Sequence, residues 1–198
     1  MQGVLLLIAS FVITFVLSKV TNLKPVANYK NSFEYLPLLT SNLYADLLII
    51  FITFSGILGA GKSWKVLAQW YKKYRLSAMI ADILIGVLYL MAARYVDYTY
   101  NLKLDLFKFG VLAVGIQLIF DFLFYLMFSA VPLGKNHMLD MFKSWARYAK
   151  LDALWGDSIL VLVGVILSAF LNQRSFNENM FWLIFGAYIT PYIIHMKD

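Results

Sequence analysis

The stretch that decides the fold runs from Gly56 to Ser63 and reads GILGAGKS. It fits the phosphate-loop pattern G-x-x-x-x-G-K-[ST] at every fixed position, with Gly56, Gly61, Lys62 and Ser63 in place. Letters alone do not make such a loop. A parallel strand must deliver the turn, and a helix must follow so that its N-terminal amides face the phosphates. LLIIFITFS before the motif has the look of that strand, and SWKVLAQWYKKYR after it has the look of that helix. GIQLIFD, ending at Asp121, even supplies an apolar run closed by an acid. A parallel sheet, however, needs several strands with crossover helices on both faces. The remaining apolar runs are too long for strands and too apolar for soluble crossover helices. The same letters read well as the end of a transmembrane helix. Gly56, Gly59, Ala60 and Gly61 permit close helix approach and a C-terminal cap, and Lys62 complements the helix dipole among headgroups. The match is a false positive on this reasoning, and no nucleotide-binding residues are assigned.

Composition points the same way. The chain has 198 residues, of which 62% are apolar and only 14% charged, with a mean hydropathy of +0.73. Globular domains run at roughly 45–50% apolar and about 25% charged. A soluble fold of this size has no interior large enough to hide so much apolar surface, so the expected solvent is a bilayer. The net charge of +6 fits loops against anionic lipid better than nucleic-acid binding. With no cysteine, disulfides, thiolate metal sites and cysteine nucleophiles are excluded. The opening MQGVLLLIASFVITFVLSK lacks a basic leader and a small-x-small cleavage site, and is expected to be a retained first helix.

Six segments have about the length and composition of spanning helices: 1–18, 43–61, 77–96, 108–133, 153–172 and 179–196. The predicted fold is an all-α polytopic membrane domain over residues 1–198, a bundle of six transmembrane helices with two short interfacial amphipathic helices. Six spans place both termini on one side, together with the 62–76 and 134–152 loops. Lys62, Lys65, Lys72, Lys73, Arg75, Lys135, Lys143, Arg147, Lys150 and Lys197 fall there, against Lys19, Lys24, Lys30, Arg94, Lys103, Lys108 and Arg174 on the other side. The positive-inside rule makes the richer side cytoplasmic.

Both long loops on that side have helical periodicity. Trp64, Leu67, Trp70, Tyr71 and Tyr74 recur at spacings of three and four, as do Met138, Met141, Phe142, Trp145 and Tyr148. Aromatic stripes opposite basic residues suit helices in the headgroup layer. The plain account is an aromatic belt with orientation charges. The sharper one is a surface for anionic headgroups or a partner protein, carried by Lys65, Lys72, Lys73, Arg75, Lys143, Arg147, Lys150, Trp64, Trp70 and Trp145.

Carboxylates inside the spans carry the chemistry. Asp46, Asp82, Asp121 and Asp157 each stand among apolar letters. An aspartate at the bilayer centre costs about 2.5–3.5 kcal/mol, so such residues face the bundle interior and have partners. Asp46, Asp82 and Asp157 are expected a few residues inside helix N-termini, where the dipole helps. Asp121 is about halfway along its span, with Gln117 four residues earlier on the same face. Asp82, Asp121 and Asp157 converge if their helices are neighbours, and with Gln117 they form a candidate proton or cation path. The bland alternative is polar glue between helices. Arg94 is read as a snorkelling residue, or a partner of Asp97 or Asp46. His137 and His195 are isolated, so no metal site or cofactor is implied. Thr190-Pro191 is expected to kink the last helix.

The segment IFDFLFYLMFSAVPLGKNHMLDMFKSWARYAKLDALWGDS, residues 119–158, resembles a pattern in uncharacterised multi-pass membrane proteins encoded by large DNA viruses of algae and protists. It carries D-F-L-F-Y, a Pro-Gly-containing exit, M-L-D-x-F-K and G-D-S opening the next helix. That resemblance implies a protein of a viral inner membrane or an infected-cell membrane, and brings no catalytic residues. Three functions follow as expectations. First is a structural or scaffolding membrane protein whose basic loops contact lipid, a capsid layer, a membrane partner or a second copy. Second is a small proton- or cation-linked channel or transporter. Last is a lipid-modifying enzyme, for which the polar residues are too scattered.

Overall fold

The computed structural model of the chain describes residues 2–56, 62–149 and 151–196, with side chains over 3–56, 65–146 and 154–196. Eight α-helices and one 3-10 turn make up the described chain: α1 (Gln2–Val20), the turn Ser32–Glu34, α2 (Tyr35–Ser55), α3 (Lys62–Tyr74), α4 (Leu76–Thr99), α5 (Leu106–Ala130), α6 (His137–Ala149), α7 (Leu151–Leu171) and α8 (Phe176–Ile194). No strand occurs among the described residues. Residues 57–61 of the glycine–lysine stretch lie outside them. What surrounds that stretch is a long helix ending at Gly56, in the left-handed conformation with φ 69, and a second helix beginning at Lys62.

Local sequence explains most helix ends. Asp105 caps α5 by accepting from the Lys108 amide at 2.8 Å. Ser175 and Glu178 form a reciprocal capping box at the start of α8. Asn136 accepts from the Met138 and Leu139 amides at the start of α6. Pro191 lies in the last turn of α8, which continues to Ile194.

Five helical segments are long and apolar enough to cross a membrane: Gly3–Val20, Ser32–Ser55, Leu76–Thr99, Leu106–Ala130 and Leu154–Leu171. They mark the chain as a membrane protein. The last helix, α8, opens on Asn177, Glu178 and Asn179 and is not among these five. The long helices alternate in direction. Those ends of α2, α4, α5 and α7 that adjoin α3 and α6 share one end of the bundle. α1 starts there too, since a Cβ on Gly3 would lie 3.8 Å from Trp155 Cβ. α8 finishes there, where the Ile194 carbonyl accepts from Arg75 at 2.7 Å.

At the centre, α7 packs against α1, α2 and α5, and α4 packs against α2 and α5. α8 lies on the far side of α2. Apolar side chains such as Ile119, Phe122, Leu123, Phe181 and Ile184 face outward, the arrangement expected where lipid is the solvent. Close contact between α2, α4 and α7 depends on two glycines. Asn42 of α2 is wedged between them, so that a Cβ on Gly86 would lie 2.3 Å from Asn42 Oδ1, and one on Gly164 3.3 Å from it. The Asn42 amide nitrogen donates to the Leu38 carbonyl at 2.8 Å. Gly186 does the same service for α8, where a Cβ would meet Leu43 Cδ2 at 2.7 Å.

The sequence reading starts α2 at residue 43, but the helix begins at Tyr35. The segment 35–42 reads YLPLLTSN, and its polar residues hid the helix from a search for apolar runs. Thr40, Ser41 and Asn42 are buried among neighbouring helices instead of facing lipid.

Candidate functional site

The four intramembrane aspartates belong to four different helices and gather toward the α3/α6 end. Asp46 and Asp121 each lie nine residues before the ends of α2 and α5, and Asp82 and Asp157 six residues after the starts of α4 and α7. At 1.5 Å of rise per residue, all four sit about 9–14 Å from that end. With α2 beginning at Tyr35, Asp46 is mid-helix and has no help from an N-terminal dipole, contrary to the sequence expectation.

Asp121 is the best-connected member. The Tyr89 hydroxyl of α4 donates to its Oδ1 at 2.6 Å, and Gln117 Nε2 donates to its Oδ2. Gln117 is fully buried, and its Oε1 lies 2.7 Å from the Ser158 hydroxyl of α7. Ser158 shares its single hydrogen between that oxygen and the Leu154 carbonyl at 2.9 Å. This sets the amide orientation, because the carboxylate oxygen takes the nitrogen side and the hydroxyl the oxygen side. One polar thread therefore joins α4, α5 and α7. Asp157, next to Ser158, lies within electrostatic reach of both Asp121 and Asp82.

The second half of the site comes from α3. Trp70 Nε1 donates to Asp82 Oδ2 at 2.9 Å, and the Tyr71 hydroxyl donates to Asp46 Oδ1 at 2.7 Å. Trp70 and Tyr71 are 1% and 0% exposed. This corrects the placing of Trp70 in a headgroup belt. Leu67, Trp70, Tyr71 and Tyr74 of α3 face α2, α4 and α6, with the Trp70 ring 4.8 Å from Phe142 and 5.0 Å from Tyr74. Burial pushes the Tyr71 phenol well above its ordinary range near 10, and the Asp46 and Asp82 carboxylates push it the same way. At neutral pH it is a phenol and a donor.

No ion pair to a lysine or arginine is made by any of the four aspartates among the described residues. Nor do three or more His, Asp or Glu residues there form a group able to hold a metal ion.

The expected headgroup and partner contacts divide. Lys65, Lys72 and Lys73 are exposed, with the Lys72 ammonium 5.9 Å from the Phe54 ring centre and that of Lys73 5.1 Å from Tyr74's. Arg75 is turned inward to the α8 carbonyl, with φ 48. Lys143 donates to the Val131 carbonyl, and Trp145 stacks on Phe142 at 6.1 Å. The side chains of Trp64 and Arg147, and Lys150 altogether, lie outside the described residues.

Arg94 neither snorkels nor meets Asp97 or Asp46. It is 0% exposed and pairs with Glu34 at 3.2 Å. It also donates to the Asn28 and Asn31 carbonyls at 2.6 and 3.2 Å, and lies over the Tyr35 ring at 5.0 Å. Glu34 in turn accepts from the Asn28 amide at 3.1 Å. Sequence reasoning missed this pair, along with Tyr89 and Ser158. A lone arginine inside an apolar run was the available signal, and its partner stands in a segment read as loop.

No protein-family model matches the chain, and no curated protein or solved structure is similar to it at a significant level.

Proposed function

We propose that the chain is a six-span membrane protein that moves protons, alone or linked to a solute, through the carboxylate layer at its α3/α6 end. That end, with both termini, is cytoplasmic in this reading by the positive-inside rule. One observation carries it: four aspartates on four helices converge at one depth with no basic side chain paired to them among the described residues. Packing glue alone does not call for that. Serine or threonine hydroxyls also bind helices together and carry no charge, whereas an acid costs about 2.5–3.5 kcal/mol at the bilayer centre. Carboxyls without counter-ions exist in lipid by carrying protons, and exchangeable protons are what a proton path requires. Asp121 is the relay in this reading, positioned by Gln117 and Tyr89, with Asp82 and Asp157 on the cytoplasmic approach. The test is reconstitution of the full chain in vesicles enclosing a pH-sensitive dye. A potassium diffusion potential should drive proton uptake that Asp121→Asn abolishes. Absence of uptake under any gradient refutes the reading.

The Gln117, Asp121, Tyr89 and Ser158 hydrogen bonds favour a second reading. They satisfy one another across three helices, as interhelical glue does. The chain is then a scaffolding protein, in a viral inner membrane if the resemblance of residues 119–158 holds. Its exposed lysines, Lys65 and Lys73 among them, contact headgroups or a capsid layer. Unchanged assembly of Asp121→Asn, with no flux in the parent protein, is the outcome of that reading.

A further inference from the structure

Asp46 differs from the other three carboxylates. It is 2% exposed, and its Oδ2 has no hydrogen-bond partner among the described residues. Its Oδ1 holds the Tyr71 hydroxyl. The titratable groups that face it are Tyr71 from α3 and Asp82 from α4, and both are acids. Neither α7 nor α8, packed on its other sides, pairs a cation with it among the described residues. A carboxylate oxygen so placed, with no donor and no counter-ion, is the costliest kind of buried polar atom. A proton on that oxygen removes the charge and needs no new neighbour.

The cover over this atom is α3. Trp70 and Tyr71 are adjacent in sequence and hold the Asp82 and Asp46 carboxylates from above. α3 stops at Arg75, where a non-glycine residue has φ 48 and the guanidinium is tied to the end of α8. Strained backbone of that kind marks a junction that surrounding structure holds in place.

We propose that Asp46 is a proton-holding site closed by α3. The proton enters from hydronium, bonds to a lone pair of Oδ2, and leaves by the same route, while Tyr71 keeps its own hydrogen. Trp70 and Tyr71 act as one stopper, which lifts with α3 and opens Asp46 toward the α3/α6 side. The inference extends the proton-linked reading by naming where the proton rests and what gates it.

Infrared spectroscopy of the full chain in phosphatidylcholine vesicles at pH 7 tests it without measuring flux. The protonated-carboxyl region should hold a component that Asp46→Asn removes, seen as a single band in the parent-minus-variant difference spectrum. On transfer to heavy water that band should exchange slowly, and at least tenfold faster in Trp70→Phe and in Tyr71→Phe. Both of these variants keep an aromatic ring at the position and leave Asp46 in place. Tyr71→Phe should also shift the band, because Oδ1 loses its donor. If Asp46→Asn removes no component from the carboxyl region, or exchange of that component is no faster in either ring variant, the proposal falls. The two readings separate cleanly. A band lost in Asp46→Asn from a protein without flux leaves this site standing and removes transport. Flux in a protein lacking that band does the reverse.

Discussion

Replacing Gly86 by alanine puts the packing of the bundle to a quantitative test. The new methyl carbon would stand 2.3 Å from Asn42 Oδ1 and 3.2 Å from Asn42 Cγ. A carbon and an oxygen come no closer than about 3.3 Å without strain, so the asparagine must move by about 1 Å. It has nowhere to go, because the Cβ position of Gly164 is already 3.3 Å from the same oxygen on the α7 side. Overpacking of this kind costs about 1–3 kcal/mol. Displacing Asn42 also strains its bond to the Leu38 carbonyl, worth about 1 kcal/mol. The better helix propensity of alanine returns a similar amount. A net loss of about 1–3 kcal/mol remains, which at about 2–4 °C per kcal/mol for a chain of this size lowers the melting temperature by about 2–12 °C. Thermal unfolding in mild detergent, followed by circular dichroism, reads it. Gly115→Ala is the control, since a Cβ there meets nothing within 4 Å and should leave stability equal or slightly higher. Asn42→Ala combined with Gly86→Ala should be more stable than the sum of the two single losses predicts. If Gly86→Ala melts with Gly115→Ala, or the double variant shows no coupling, the three-helix junction is misassigned.

Other expectations follow from the same geometry. Arg94→Met strands Glu34 in the bundle and should cost about 3–5 kcal/mol, read as the midpoint shift in detergent unfolding. Glu34→Gln should cost less, since three contacts to Arg94 remain: the Asn28 and Asn31 carbonyls and the Tyr35 ring. Tyr71 gives a pH dependence with a definite sign. Its folded-state pKa is raised, so the unfolded chain ionises first, and stability present below about pH 10 is lost as pH climbs above it. Tyr71→Phe should make that alkaline loss smaller, measured as melting temperature against pH. Tyr44→Phe removes the 2.9 Å bond to the Trp182 carbonyl that ties α8 to α2. It should lower stability by about 1 kcal/mol, and a larger loss would mean α8 depends on that contact more than its packing implies.

The sequence showed rods but not their rotations. Long apolar runs made helices the only reading of α1, α4, α5 and α7, because backbone groups in lipid must pair within the segment. They also made acids the residues to watch, and Asp82, Asp121 and Asp157 do face neighbouring helices. Two things stayed hidden. Burial inside a bundle lets a spanning helix carry polar residues, which is why Thr40, Ser41 and Asn42 disguised the first turns of α2. An amphipathic period gives the apolar face of a helix without saying what lies beneath it. The Trp70 and Tyr71 face of α3 therefore looked like a lipid-facing belt, when it meets carboxylates of two other helices. Glu34 and Arg94 escaped for a related reason, since their pairing spans sixty residues and no local pattern announces it.

That separation has a consequence for how the protein is made. Glu34 leaves the ribosome sixty residues before the arginine that neutralises it. At about 5–20 residues per second, the acid waits some seconds at the mouth of α2 with no counter-charge. Burial of Glu34 is favoured only once α4 has been made, which couples the final settling of the start of α2 to a helix synthesised later.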